Sequence, residues 1–163
     1  MTPPFAAGHA PLDAPFAVRR GELEVTTERA RMDVDAIHGF LTQSYWAAGI
    51  PRATLQRSLD GALNFALLER GRLIGFARVI TDAATFAYLA DVFVLPEGRG
   101  RGLGKWLIDV VLTHPALIGL RRFLLVTRDA HGLYARYGFT PLRHPERFME
   151  LARPDNIDPT TSG

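Results

Sequence analysis

Apolar and polar positions in the middle of the chain follow the pattern of a β-meander. The run Leu63 to Glu69 and the run Leu73 to Thr81 are joined by Arg70-Gly71-Arg72, which predicts a β-hairpin. A third run, Phe86 to Leu95, is aromatic and β-branched, and it ends before Pro96. Strands therefore follow one another here without intervening helices.

Helical periodicity and shorter apolar runs predict the elements on either side of this meander. The helices are expected at 33–45, 52–59, 103–114 and 130–137, and further strands at 22–26, 121–127 and 148–151. The strand at 121–127 follows a strand and a helix, so we expect it to lie parallel to the strand at 86–95. The predicted fold class is α/β of the α+β kind, with a mixed, mostly antiparallel sheet of about six to seven strands and about four helices.

Composition places these elements in one domain with two tails. The 163 residues, 47% of them hydrophobic, suffice for one core, which we assign to a single domain at 21–152. Residues 1–20 are rich in alanine and proline and are expected to form a flexible arm, and residues 153–163 to form a polar tail.

Charge and cysteine content narrow the classes of function. The chain has no cysteine, which excludes disulfides and thiolate metal sites, and we expect no metal. A formal charge of +2 gives no case for a nucleic-acid partner. The N-terminal stretch lacks a basic start followed by an apolar run, so a cytoplasmic protein without a membrane partner is expected.

The clearest chemical signal is the turn after the third apolar run. Glycines stand at 98, 100, 102 and 104, and Arg99, Arg101 and Lys105 crowd the predicted start of the next helix. Unpaired N–H groups at a helix start carry about half a positive charge, so this arrangement favours a bound anion. We interpret the turn as a phosphate or pyrophosphate site, with a solvated basic turn as the alternative.

Two common phosphate-binding loops do not fit this turn. A Walker A loop would need a glycine where Arg99 stands and a serine or threonine where Trp106 stands. The dinucleotide fingerprint would need its last glycine at the position of Leu103 or of Lys105. The turn therefore belongs to another class of loop.

The turn resembles that of a known enzyme family. Arg99-x-x-Gly102-x-Gly104, after a strand that ends Val94-x-Pro96, is similar to the acetyl-CoA signature of the GNAT family of N-acetyltransferases. The stretch 130–139, AHGLYARYGF, looks like a second motif of that family, A-x-x-L-Y-x-x-x-G-F. The resemblance covers roughly residues 21–152. It implies the GNAT fold, in which the one parallel strand pair is splayed.

The resemblance implies acetyl-CoA as the co-substrate. The pantetheine arm would bind the main chain of Phe93, Val94 and Leu95. The pyrophosphate would bind the loop and the helix start, namely Arg99, Gly100, Arg101, Gly102, Leu103, Gly104 and Lys105. Thr127 stands where many members have an asparagine that contacts the cofactor, and its hydroxyl can still donate one hydrogen bond. Tyr134 matches the tyrosine that in many members hydrogen-bonds or protonates the departing thiolate.

Two side chains are candidates for the general base. Asp91 lies in an apolar run, so it is either a base or amine-binding group or a structural hydrogen-bonding residue. His131 precedes Tyr134 by one helical turn and is the rival, with an exposed solvated histidine as the alternative. Many family members deprotonate the amine through water, so a single base is not required.

The acceptor pocket is expected beside the end of the first helix, because the family builds one wall of it from its first two helices. Tyr45 and Trp46 are interpreted as lining this pocket, with packing in the core as an equal alternative. Arg78 is a candidate for facing an acidic group of the acceptor, with a surface salt bridge as the alternative.

The leading hypothesis is direct transfer of an acetyl group from acetyl-CoA to a primary amine of a small molecule or peptide. The alternative is a non-catalytic acyl-CoA-binding regulatory module. A nucleic-acid role for the Arg-Gly-Arg-Gly stretch at 99–102 ranks last. A homodimer is expected only because symmetric dimers are common among soluble proteins.

Overall fold

The computed structural model describes residues 11–153 of the chain. The described strands are β1 Ala17–Arg20, β2 Leu23–Thr26, β3 Leu63–Glu69, β4 Arg72–Thr81, β5 Phe86–Val94 and β6 Arg122–Leu125. The described helices are α1 Val34–Leu41, α2 Arg52–Asp60, α3 Leu103–Thr113 and α4 His131–Ala135. Two compact units divide the chain, the first ending at Val126 and the second beginning at Thr127.

The six described strands form one sheet in chain order, β1 to β6. All neighbours are antiparallel except β5 and β6, which are parallel. The hairpin of β3 and β4 pairs Leu63 with Val79 at one end and Glu69 with Arg72 at the other. The predicted fold class, a mostly antiparallel mixed sheet with one parallel pair and helices around it, is confirmed.

Helices cover both faces of the sheet. On one face, α1 and α2 pack against β3, β4 and β5 in a cluster that includes Met32, Ile37, Leu41, Leu55, Leu59, Phe76 and Phe93. On the other, α3 packs against the same three strands and buries Leu103, Trp106, Leu107, Ile108, Val110 and Val111. Because side chains alternate along a strand, β5 contributes Phe93 to the first layer and Val94 to the second. The end of β5 is therefore held from both sides.

The parallel strands β5 and β6 diverge before β5 ends. Their pairing runs from Phe86 opposite Arg122 to Leu89 opposite Leu125, and β6 stops there. The strand β5 continues to Val94, and no other strand of residues 11–126 pairs with the edge that β6 has left. We call residues 90–94 on this side the open edge of β5. The divergence is the splayed parallel pair implied by the family resemblance.

The two ends of the described chain differ from the prediction. The strand β1, Ala17–Arg20, lies inside the segment predicted as an arm, and it pairs with β2 across a turn at Gly21. The predicted arm was therefore too long. The sequence gives no clear sign of β1, because only one of its residues is half-buried and the strand is stabilised by pairing with β2. Residues 1–10 and 154–163, which include nearly all of the predicted tail, lie outside the described residues.

Two predicted elements end elsewhere or are missing. The strand expected at 148–151 is absent from the described residues, and Met149 is 97% exposed there. The helix α1 begins as predicted, with Asp33 accepting a hydrogen bond from the Ala36 N–H, but it ends at Leu41 and not at Tyr45. The Ser44 hydroxyl donates to the Leu41 carbonyl at 2.7 Å, and this side-chain bond competes with continuation of the helix.

His114, at the end of α3, is a buried histidine. It is 2% exposed, and its ring lies 4.4 Å from the Phe16 ring and 5.5 Å from the Phe65 ring. Its Nδ1 accepts the Ala116 N–H at 3.1 Å, and Nε2 has no partner among the described residues. Burial lowers the pKa of His114, because a charged imidazolium would lose its hydration.

Acidification is expected to destabilise the protein through His114. In the unfolded chain the imidazole binds a proton below about pH 6.5, whereas the folded protein does so only at lower pH. The contribution of neutral His114 to stability is therefore complete above about pH 6.5 and is lost as the pH falls toward the lowered pKa. The free energy of unfolding then falls by up to about 1.4 kcal/mol per pH unit. Urea unfolding at a series of pH values measures this slope.

The matched variant for this test is His114→Asn, whose Oδ1 can still accept the Ala116 N–H. We expect a flatter dependence of unfolding free energy on pH in this variant than in the parent. The exposed His131, changed to Asn, is the control and should leave the slope unchanged. Equal slopes for the parent and His114→Asn would contradict the assignment.

Candidate active site

The loop between β5 and α3, residues 95–102, turns through two left-handed glycines. A short 3-10 turn, Pro96–Gly98, is followed by Gly100 and Gly102 at φ of 75° and 73°, which residues with a Cβ rarely adopt. Gly102 is the N-cap of α3, and no side chain caps the helix there. The first turn of α3 also has no acidic residue. Its main-chain N–H groups therefore lack the side-chain partners that usually satisfy a helix start.

Gly98 fixes this loop against β5. A Cβ added to Gly98 would lie 2.9 Å from Val94 Cγ1, closer than side chains tolerate. A Cβ added to Gly104 would lie 3.7 Å from Val94 Cγ2, which is an ordinary contact. The start of α3 is thus brought directly onto the end of the open edge.

The two loop arginines have partners within the protein. Arg101 forms a two-pronged contact with Glu69, with N–O distances of 3.1 and 2.6 Å. The hydrogen bond from Arg101 holds the pKa of the Glu69 carboxyl below its usual value. Arg99 donates its Nε–H to the Val94 carbonyl at 3.1 Å. Lys105 is exposed, and the Leu103 side chain is buried in the core, 6% exposed.

The main chain of Leu95 is already bonded within the protein, which does not favour the predicted contact with the pantetheine arm. Its N–H donates to the Ile74 carbonyl at 2.7 Å, and its carbonyl accepts the Gly98 N–H at 2.9 Å. Both groups are used to join β5 to β4 and to close the turn. The side chain of Leu95 packs against the core beside α1.

Val94 is the residue whose main chain faces the open edge. In an antiparallel ladder, residues alternate between bonding toward the neighbouring strand and pointing away from it. Since Leu95 bonds to β4, Val94, opposite Gly75, directs its N–H and carbonyl the other way. Phe93, opposite Phe76, directs its main chain toward β4 and contributes a buried ring, 5% exposed. Of the three residues predicted to bind the pantetheine arm, Val94 is the one whose main chain points toward the open edge, and its binding role stays a prediction.

A bulge in β5 changes the strand's register at Asp91. Phe76 pairs with Phe93, but Arg78 pairs with Ala90, so two residues of β5 lie opposite Ala77. Asp91 has a φ of 53°, a left-handed conformation that is uncommon for a residue other than glycine. The bulge turns its side chain toward Arg78 and Trp46.

Each oxygen of the Asp91 carboxylate accepts one hydrogen bond. Its Oδ2 accepts the Arg78 Nε–H at 2.6 Å, and its Oδ1 accepts the Trp46 Nε1–H at 2.9 Å. The side chains of Asp91 and Arg78 are 9% and 16% exposed. The structure thus brings three predicted site residues together. Of the roles considered for Asp91, these contacts favour the structural one, and Arg78 forms a part-buried ion pair in place of a surface salt bridge.

Aromatic rings surround this network. Tyr45 and Trp46 are 54% and 43% exposed and meet edge to face, with ring centres 5.0 Å apart. Phe40 of α1 stacks on Phe93 at 4.0 Å and lies 6.3 Å from Trp46. Tyr45 and Trp46 are therefore not core residues. The sequence did not predict that Phe40 lies beside Trp46 and Phe93, because its position in the apolar stripe of α1 indicates only packing.

The second unit, from Thr127, carries the second motif. The Thr127 hydroxyl accepts the Ala130 N–H at 3.0 Å, just before α4. Tyr134 is 8% exposed and meets Phe139 edge to face at 5.8 Å, and Gly138 lies at φ 89° in the turn that follows α4. His131, on the same short helix, is exposed. The parts assigned to Thr127, Tyr134 and His131 stay predictions.

Comparison with known proteins identifies the family. The chain matches the family model described as the acetyltransferase (GNAT) family over residues 32–139. FG08082 of Gibberella zeae, with an inferred acetyltransferase activity, is 33% identical over 140 residues, or 72% of this chain and 78% of that protein. A solved GNAT-family protein of Xanthomonas campestris, also an inferred acetyltransferase, shares 55% identity with a TM-score of 0.79, over 81% of this chain and 94% of that one.

Two further relatives are described by what they act on or bind. The peptidyl-lysine N-acetyltransferase YiaC of Escherichia coli is 34% identical over 82 residues, which cover 50% of this chain and 53% of YiaC. Rv2747 of Mycobacterium tuberculosis, solved in complex with CoA and NLQ, shares 22% identity and a TM-score of 0.58, over 72% of this chain and 72% of that one. The second likeness is one of fold.

The chain belongs to the GNAT family, since the family model spans most of its length. It is an acetyltransferase by class, and the resemblance seen in its two motifs is confirmed. Among residues 11–153, no group of three or more His, Asp or Glu side chains could hold a metal ion. Within the same part of the chain, no helix has the length and apolar character needed to cross a bilayer.

Substitution of the loop glycines should separate close packing from mere flexibility. We expect Gly98→Ala to lower the free energy of unfolding by about 1–3 kcal/mol, because its Cβ would collide with Val94. Gly104→Ala is the matched control and should leave stability unchanged or raise it by up to about 1 kcal/mol, since alanine favours a helix. Urea unfolding of both variants measures the difference. Equal effects would contradict the close contact of loop and strand.

Proposed function

We propose that this protein transfers an acetyl group from acetyl-CoA directly to a primary amine. The observation that carries the proposal is the juxtaposition of the open edge of β5 at Val94 with the uncapped start of α3 at Gly102. A ligand with an extended amide chain that ends in a diphosphate would bind its amides at the strand edge and its diphosphate at the helix start. Coenzyme A has that chemistry.

The pantetheine arm binds as an added strand on the open edge. Its amides exchange hydrogen bonds with the N–H and carbonyl of Val94, as a peptide does at a sheet edge. The Arg99 guanidinium, which donates to the Val94 carbonyl in this structure, moves from that oxygen to the incoming phosphate. One guanidinium thus covers the site before binding and contacts the ligand afterwards.

The diphosphate binds the main-chain N–H groups at the start of α3. Gly102, Leu103 and Gly104 supply these groups, and the left-handed Gly100 and Gly102 allow the backbone to approach. Arg101 stays paired with Glu69 and, with Lys105, adds positive charge at the periphery. The Thr127 hydroxyl is proposed as a further contact, which relies on the family motif alone.

The transfer itself needs a neutral amine, a stabilised oxyanion and a stabilised leaving group. The amine nitrogen attacks the thioester carbonyl, and the carbonyl oxygen takes up negative charge. A main-chain N–H of the open edge of β5, other than the Val94 N–H that bonds to the pantetheine arm, stabilises this oxyanion. The C–S bond then breaks and the sulfur leaves as a thiolate, while the nitrogen loses its proton to water.

Tyr134 is proposed as the partner of the departing thiolate. A thiol titrates near 8.5 and a phenol near 10, so complete proton transfer from Tyr134 is uphill by about 1.5 pKa units, or about 2 kcal/mol. A hydrogen bond from the phenol to the thiolate avoids most of this cost. We therefore assign Tyr134 as a hydrogen-bond donor.

No single general base is assigned. Each oxygen of Asp91 accepts one hydrogen bond and the carboxylate is paired with the Arg78 guanidinium, so these contacts favour a structural role over that of a base. His131 is exposed on α4 and is retained as a rival that the variants below test. Water is the proposed first acceptor of the proton.

The acceptor is a primary amine of a small molecule or of a peptide, bound beside Tyr45 and Trp46. The relative YiaC acts on peptidyl-lysine, which supports including lysine side chains among the amines tested. The cytoplasmic location and the homodimer stay predictions. The alternative of a non-catalytic acyl-CoA-binding module is one outcome of the first experiment.

Thiol release from acetyl-CoA with a panel of amines, including lysine peptides, tests the activity. We expect Tyr134→Phe to lower kcat about 10- to 100-fold, the value of one hydrogen bond to a charged group, with the acetyl-CoA KM within about twofold. Tyr137→Phe is the matched control, and His131→Ala tests the rival base. Equal kcat for Tyr134→Phe and the parent would remove Tyr134 from the mechanism. CoA binding without thiol release from any amine would favour the regulatory module.

Binding of CoA tests the loop separately from the chemistry. We expect Gly102→Ala to raise the CoA Kd at least about tenfold, because alanine at φ 73° distorts the helix start that holds the diphosphate. Gly21→Ala also adds a Cβ at positive φ, 59°, but at the turn of β1 and β2, and should leave the Kd unchanged. Calorimetric titration measures both constants. An unchanged Kd for Gly102→Ala would contradict the assigned cofactor loop.

A further inference from the structure

Asp91 has a strained backbone in the middle of a strand. Its φ of 53° is costly for a residue with a Cβ, and such a conformation persists only where surrounding contacts hold it. The bulge that contains it is the irregularity between β4 and β5. This strained residue lies next to the proposed site, and backbone strain of this kind clusters at functional sites.

The contacts of Asp91 join three separate parts of the first unit. Arg78 belongs to β4, Asp91 to β5, and Trp46 to the stretch after α1, which has neither helix nor strand until α2. The pair of Arg78 and Asp91 is nearly buried, so the carboxylate has little surface left for an incoming amine. Its charge is balanced by the guanidinium, and the indole N–H satisfies the second oxygen.

The bond to Trp46 fixes an exposed aromatic surface. Indole has one polar hydrogen, and its bond to Asp91 sets the direction of the ring. The ring itself is 43% exposed, and Tyr45 meets it at an angle of 80°. An exposed indole without such an anchor would sample several rotamers.

We propose that Asp91 is a positioning residue for the acceptor, acting through Trp46. Arg78 holds the carboxylate at the bulge, the carboxylate holds the indole, and the face of the indole receives the carbon chain next to the reacting amine. This inference rests on the proposed acetyl transfer. It assigns Asp91 to acceptor affinity and removes it from proton transfer.

Kinetics of three variants test the proposal. Trp46→Phe keeps an aromatic ring and removes the N–H, Asp91→Asn keeps an acceptor oxygen and removes the charge, and the third variant combines both. We expect Trp46→Phe to raise the acceptor KM about three- to tenfold, with kcat and the acetyl-CoA KM within about twofold. The double variant should be no worse than the more affected single variant, because both act through one contact. Trp46→Phe changes an exposed ring, so it tests the proposal even where Asp91→Asn folds poorly.

A catalytic base at Asp91 gives different results. In that case Asp91→Asn lowers kcat about 100-fold or more, flattens the acidic limb of the pH–rate profile, and Trp46→Phe leaves kinetics unchanged. Additive losses in the double variant would likewise overturn the proposal. A common, non-additive rise in acceptor KM supports it.

Fluorescence supplies a readout that needs no activity. The chain has two tryptophans, and Trp106 is only 4% exposed, so acrylamide quenching reports mainly on Trp46. We expect Asp91→Ala to raise the acrylamide quenching constant about 1.5-fold or more, because the Trp46 indole is released. Asp109→Ala, at an exposed position of α3, is the control and should leave the quenching constant unchanged. Unchanged quenching in Asp91→Ala overturns the positioning role. Changed quenching together with no acetyl transfer to any amine would support the contact between Asp91 and Trp46. It would at the same time refute the proposed function.

Discussion

The separation of β5 from β6 after Leu89 and Leu125 is the constraint on which the rest of the site depends. Main-chain N–H and carbonyl groups must find partners, so a strand edge that has lost its neighbour is a surface ready for hydrogen bonding. The divergence leaves this surface at Val94, where the start of α3 also arrives. A ligand with amides at one end and a diphosphate beyond them can satisfy both surfaces at once.

The guanidinium groups around this surface have partners within the protein before any ligand arrives. Arg101 has Glu69, Arg78 has Asp91, and Arg99 has a carbonyl oxygen. These pairs differ in how readily the arginine can also contact a ligand. A half-exposed guanidinium with five N–H donors can keep one carboxylate and still meet a phosphate, whereas the nearly buried pair at Asp91 exchanges partners only at a large cost. The loop side of the site is therefore adaptable and the acceptor side is fixed.

Local patterns were enough to predict the hairpin of β3 and β4, the glycine loop and the class of fold. Leu63–Glu69 was predicted with its observed bounds, and Gly102 was placed at the start of α3, because turn glycines and apolar runs act over a few residues. Contacts between distant parts of the chain were not predictable. The hydrogen bond from Trp46 to Asp91 joins residues that are 45 positions apart in the sequence, and β1 is stabilised by its pairing with β2. The register that makes Leu95 a ladder residue and Val94 an open one depends on the bulge at Asp91, which no pattern in the sequence signals.

Amide hydrogen exchange, followed by NMR residue by residue with and without CoA, tests the central claim most directly. The account predicts that CoA slows exchange at Val94 and at Gly102, Leu103 and Gly104. Leu95, whose N–H is already bonded to Ile74, should change little and serves as the internal control. Binding of CoA with no added protection at Val94 would contradict the account, since the ligand would then be held elsewhere.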